Sequence, residues 1–223
     1  MVTIYRKELL QFFDEKVPES KGHATGIVQL AGEDLGIGLL LHYFRAKGYN
    51  AKVVSYKCNQ RKLRGERLDR WVHVTKNKED ILYQVEVKND SAHGTSKKPL
   101  SANATKQEVV NYKKKLWDHH WDGETLKDKS YRKVLIPMKN PTDVKDENIK
   151  PLLCLWRCMH KNGLDEPLFK ESVSDSDPKY SYFKELWFFS MSSYLRTFKN
   201  GTLDIEMPQA AERISWVGKL FEI

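Results

Sequence analysis

Two short segments of this chain carry residues that, if folded together, could hold a hard cation beside a phosphate. One is Arg67-Leu68-Asp69-Arg70-Trp71, with its aspartate; the other is Gln84-Val85-Glu86-Val87-Lys88, with a glutamate and a lysine two residues apart. Carboxylate oxygens are the natural protein ligands of Mg²⁺ and, by the same hard-ligand logic, Mn²⁺. Hydrolysis of a phosphodiester needs an activated water, charge neutralisation in the transition state and stabilisation of the leaving oxygen, and a divalent ion serves all three needs. Asp69 and Glu86, with the backbone carbonyl of Val87, would hold the ion. Lys88 would orient or help deprotonate the attacking water, or stabilise developing negative charge.

This chemistry requires strands that aim the side chains. Over Ile81 to Lys88 the apolar residues Ile81, Tyr83, Val85 and Val87 share one face, while Leu82, Gln84, Glu86 and Lys88 share the other, since strand side chains alternate. A preceding strand is read over Arg67 to Thr75, joined by the polar turn Lys76 to Asp80, and Asp69 lies across from Glu86 if the register is right. Upstream, Leu35, Leu39, Leu40, Leu41, Tyr43 and Phe44 recur at helical spacing from Gly32 to Lys47, with Gly48 where a C-cap is expected. A strand over Lys52 to Tyr56 follows. Downstream come an exposed loop over residues 89 to 103, a helix over Ala104 to Trp121, a buried strand over Lys133 to Met138 and a helix from about Val144 to His160. Leu164 to Tyr180 reads as irregular, Glu185 to Ser190 as a buried strand, Leu203 to Met207 as a small strand and Ala210 to Leu220 as a short helix.

These residues and this order resemble the PD-(D/E)xK nuclease superfamily, the fold of many restriction enzymes and recombination nucleases. The resemblance rests on Asp69, on Glu86-x-Lys88, and on Glu33 in the first core helix, where that superfamily often carries an acidic residue; it covers roughly residues 32 to 138. Leu68 stands where many members have Pro, and Gln107 and Tyr112 are spaced one residue too far for the Gln-x-x-x-Tyr motif of one branch. The resemblance implies a restriction-endonuclease-like α/β core of α-β-β-β-α-β order, with a central mixed sheet flanked by helices. It also implies a Mg²⁺- or Mn²⁺-dependent endo- or exonuclease with Glu33 beside Asp69 and Glu86, a DNA substrate in preference to RNA, and the pairing of two copies on a duplex. The alternative is a nucleic-acid-binding module that keeps the fold without cutting.

The rest of the chain fits a polyanionic partner without specifying one. A formal charge of +8 over 223 residues raises the local concentration of phosphate-bearing ligands. Arg61, Lys62, Arg64, Arg67 and Arg70 cluster before and within the Asp69 strand, and Lys97 and Lys98 lie in the loop after Lys88; each group reads as phosphate contacts or as a solvated basic loop. Gln84 and Gln107 are further candidate substrate contacts. The Lys113 to Lys115 run has the same two readings as the basic loops. His73, His119 and His120 read as packing or capping residues rather than ligands. Cys154 and Cys158 read as one face of a helix core. With three cysteines, neither a disulfide framework nor a zinc ribbon is supported. No apolar run is long enough for a membrane span or a signal peptide, so a cytoplasmic or equivalent compartment is expected. One domain over residues 1–223 is expected, with an N-terminal helical arm (1–31), a core (32–190) and a C-terminal extension (191–223).

Overall fold

The chain opens with β1 (Val2–Tyr5) and α1 (Arg6–Asp14), followed by the long α2 (Lys21–Ala46). The computed structural model describes residues 1–14, 21–55, 59–60, 67–89, 100–199 and 201–221. Leu35, Leu39, Leu40, Leu41 and Phe44 of α2 are all buried, as their periodicity requires. The helix stops where expected: Gly48 adopts φ 79° and its N–H donates to the Arg45 carbonyl at 2.9 Å, a left-handed cap that suits glycine. Its start differs from the expected Gly32. The helix runs through Gly22 and Gly26, since glycine costs a helix only about 1 kcal/mol and does not block its hydrogen bonds.

A meander follows, made of β2 (Asn50–Ser55), β3 (Arg70–Lys76) and β4 (Glu79–Lys88). The β3–β4 turn is tighter than the sequence suggests: Lys76 pairs with Glu79 across Asn77 and Lys78, and Asn77 at φ 55° supplies the positive dihedral that a two-residue hairpin needs. A short ladder joins Asn59–Gln60 to Arg67–Leu68, so the strand expected over Arg67 to Thr75 is interrupted at Asp69.

After α3 (Lys106–Trp117), which starts on a Thr105/Glu108 capping box, two expectations are overturned. Lys133 to Met138, read as a strand, forms a 3-10 turn over Lys133–Leu135. The helix read over Val144 to His160 is instead β5 (Ile149–Leu155). An unbroken apolar run such as Leu152 to Trp156 fits a doubly covered strand as well as a buried helix; the flanking strands decide between them. A third expectation fails at β6 (Leu168–Ser172), an edge strand inside the stretch read as irregular, where Phe169 and Glu171 are buried and alternate with exposed Lys170. The chain then forms β7 (Glu185–Ser190), α4 (Met191–Thr197), β8 (Thr202–Ile205) and α5 (Pro208–Phe221).

The central sheet has the order β6-β7-β5-β4-β3-β2. β4, β5 and β7 run parallel, and the remaining pairs are antiparallel. The protein is therefore α/β, with a six-stranded mixed sheet flanked by helices. One sheet face carries Val72, Val85, Val87 and Cys154 against α1, α2 and α4. The other carries Trp71, Leu82, Leu153 and Phe188 against Trp117, Val134 and Leu135. The segment read as an N-terminal arm is integrated into the body: Leu10 and Phe13 lie in the first core, and β1 pairs with β8 from Val2↔Ile205 to Tyr5↔Thr202. Among the described residues no helix is long and apolar enough to cross a membrane.

Candidate active site

The register of the hairpin brings the two sequence segments together. Arg70 pairs with Val85, so Asp69, one residue beyond the ladder, reaches the level of Glu86. The Asp69 carboxylate takes over where backbone pairing stops: Val87 N–H donates to its Oδ2 at 2.6 Å. Lys88 O faces the opposite edge, where it accepts from Trp156 N–H; the carbonyl of Val87 therefore projects to the same edge as its own N–H, towards Asp69. Lys88 Nζ donates to Glu86 Oε1 at 2.7 Å. Glu86 is buried, while the Lys88 side chain is one-third exposed. The acid lies under the surface and the base at its edge.

Glu33 approaches from α2. One turn on, Gly36 presses against the sheet so closely that a Cβ there would lie 2.7 Å from Val87 Cγ1 and 3.2 Å from Cys154 Sγ. A larger residue would have to push the Val87 side chain aside, and the close approach brings Glu33, about half exposed, towards the rim of the site. The electrostatic consequence falls on Asp69. Burial, then the negative charges of Glu86 and Glu33, push its carboxyl up to about 7, against the opposing pull of the Val87 N–H and Lys88.

Crowded carboxylates of this kind are the donor set a divalent cation would relieve. Among the described residues no group of three or more His, Cys, Asp or Glu side chains is arranged to hold a metal ion. Mg²⁺, however, keeps several waters and is commonly bound through only one or two carboxylates. Asp69, Glu86 and the Val87 carbonyl match that requirement, and Glu33 adds its negative charge to the field at Asp69.

Other expected site residues fare differently. Arg70 is not offered to a phosphate: it is 3% exposed and packs towards α2, because it lies on the strand face opposite Asp69. Gln84 is fully buried, its amide donating to the carbonyls of Val134 and Ile136, so its place on the Glu86 face serves to pin the 3-10 turn over the sheet. Gln107 is exposed and donates to Asn111 Oδ1 at 2.8 Å, whereas Tyr112 turns inward and accepts from Arg157; the two do not converge. Arg61, Lys62, Arg64, Lys97 and Lys98 lie outside the described residues, as does the side chain of Arg67. His73 meets Asp80 at 2.6 Å and His120 stacks on Tyr131. Cys154 and Cys158 are both buried, on and just after β5 rather than along a helix.

The sequence reading missed Asp34 and Gln209, which meet Arg70 behind Asp69. Asp34 stands beside Glu33 in sequence, but nothing local marks Gln209, which arrives from the far end of the chain. No family model, curated protein or solved structure matches this chain.

Proposed function

We propose that this protein is a divalent-cation-dependent nuclease with a restriction-endonuclease-like core, hydrolysing phosphodiester bonds in DNA in preference to RNA. The observation that carries the reading is the convergence at the end of β4: Asp69 bonded to Val87 N–H, Glu86 paired with Lys88, and Glu33 near enough to help raise the carboxyl of Asp69. Mg²⁺ or Mn²⁺, when bound, supplies charge neutralisation and an acidified water. The chain does the rest. Asp69, Glu86 and the Val87 carbonyl would hold the ion, and Glu33 would add negative charge beside it. Lys88, at the solvent edge, directs a donor towards the attacking water or the phosphate oxygens, where negative charge accumulates. The water oxygen bonds to phosphorus and releases a proton to solvent, the bond from phosphorus to the leaving sugar oxygen breaks, and that oxygen takes up a proton from solvent.

Purified protein incubated with supercoiled plasmid, linear duplex, single-stranded DNA and RNA, in Mn²⁺ or in EDTA, tests the reading. Cleavage in Mn²⁺ alone is expected, with Asp69→Ala, Glu86→Ala and Lys88→Ala inactive yet folded. Unchanged cleavage by all three variants rejects the assignment. One observation favours the second reading, a nucleic-acid-binding module without activity: the Lys88–Glu86 pair balances two charges with no ion. Salt-sensitive DNA binding in EDTA with no cleavage of any substrate in Mn²⁺ would select it.

A further inference from the structure

Asp69 and Arg70 are neighbours in sequence but turn to opposite faces of the sheet. Asp69 faces Glu86, and Arg70 runs under α2. There its guanidinium gathers groups from three elements. Nη1 donates to the carbonyl oxygen of Asp69 and lies 3.9 Å from Glu33 Oε2; Nη2 donates to Gln209 Oε1 and lies 4.0 Å from Asp34 Oδ1. The other oxygen of Asp34 accepts the N–H of Ala210 at 2.7 Å, in the first turn of α5. A guanidinium that is 3% exposed persists only where its charge and donors are matched. Here the matching groups divide into two sets: Glu33 and the Asp69 peptide belong to the proposed ion site, while Asp34 and Gln209 join α2 to the C-terminal helix.

We infer that Arg70 is a positioning residue, which fixes the Asp69 peptide and Glu33 at the ion-binding end of β4 and couples that end to α5 through Gln209 and Asp34. The inference rests on the nuclease reading for its kinetic consequence but not for its ion-binding one. By bonding the carbonyl of Asp69, the guanidinium holds the peptide at which the strand leaves its ladder, so the carboxylate meets Val87 N–H. Its Nη1, 3.9 Å from Glu33 Oε2, also sets an opposite charge beside that half-exposed side chain. A lysine would keep the charge but lacks the planar fork that serves several acceptors at once.

The test compares wild type with Arg70→Lys and Gln209→Leu, measuring the Kd for Mn²⁺ by calorimetry without nucleic acid, the melting temperature, and kcat and KM on duplex DNA. Positioning predicts that Arg70→Lys weakens Mn²⁺ binding at least tenfold and lowers kcat at least tenfold, with KM within twofold of wild type. Gln209→Leu, which keeps the guanidinium, should weaken Mn²⁺ binding about threefold. If Arg70→Lys fails to fold, Gln209→Leu decides alone. A folded Arg70→Lys with unchanged Mn²⁺ affinity and kcat, or a Gln209→Leu with unchanged Mn²⁺ affinity where it decides alone, overturns the inference. A wild type that binds Mn²⁺ but cuts nothing rejects the nuclease reading alone, and the Mn²⁺ comparison still judges Arg70. A wild type that binds no Mn²⁺ overturns both.

Discussion

Two lysines in this protein each bond a carboxylate near the carboxyl ends of the parallel strands, and their surroundings differ. Lys113 on α3 is fully buried, with Nζ donating to Ser193 Oγ at 2.6 Å and to Asp165 Oδ1 and Ser190 Oγ at 3.2 Å. Burial lowers its proton affinity, and Asp165 pulls the other way. One cation meets one carboxylate, with hydroxyls filling the remaining bonds. Around Lys88 the balance is reversed: burial, then the negative charges of Glu86 and Glu33, force the Asp69 carboxyl up to about 7. The first cluster is internally satisfied and encloses its charge. The second holds more negative charge than its surroundings stabilise, as expected of a place that binds something positive.

Exchanging the consequences of the two lysines is the sharpest way to break this contrast. Lys88→Met should reduce cleavage by on the order of 10²–10³-fold, and, because it leaves the buried Glu86 carboxylate without its 2.7 Å partner, it should lower the urea midpoint as well. Lys113→Met should leave cleavage intact wherever the protein is folded but cost about 3 kcal/mol of stability, because it strands a partly buried carboxylate. If both variants lose stability alike and neither loses activity, the contrast is empty.

The pH dependence of stability sharpens it next. Folded Asp69 titrates near 7, above the ordinary value of 3.8, so between those limits the folded chain holds a proton that the unfolded chain has lost. Stability in EDTA should therefore fall as pH rises from about 4 to 7 and level off above that. Asp69→Asn keeps an oxygen for Val87 N–H and removes the charge. It should abolish the slope and be more stable than wild type at pH 8, by on the order of 2 kcal/mol. Added Mn²⁺ should stabilise only the wild type. Urea melts at pH 5 and pH 8 read all of this.

Gly36→Ala probes the helix contact that frames the crowded cluster. Its methyl would meet Val87 Cγ1 at 2.7 Å, so a loss of about 1 kcal/mol or more is expected, with weaker Mn²⁺ binding because Glu33 moves with α2. The smallest effect calibrates the others: His73→Ala removes an exposed contact to Asp80 and should change stability by less than about 1 kcal/mol and cleavage not at all.

Much of this arrangement was legible in the chain itself. The helix ending at Gly48, the β3–β4 hairpin, and the candidate residues Asp69, Glu86 and Lys88 follow from periodicity and from residue types that belong together chemically, whereas Glu33 is suggested only by the family resemblance. The strand β5 was not legible, because its apolar run lacks alternation and its parallel partners, β4 and β7, lie far away in sequence. Lys113 was misjudged for a related reason. Within a run of three lysines nothing local says which one turns inward; the choice belongs to Asp165, Ser190 and Ser193, which arrive from other elements.

By itself, then, the sequence determined the alternation that puts Glu86 and Lys88 on one side of a strand, and the turn chemistry that carries Asp69 back to them. These are short-range matters of φ/ψ preference and side-chain period. Alternation turns Arg70 away from Asp69, but tertiary structure alone decided that it meets a nest of Glu33, Asp34 and Gln209 there, and that α5 closes behind the site. Burial of a charge depends on groups brought together over the whole chain, and no local pattern encodes it.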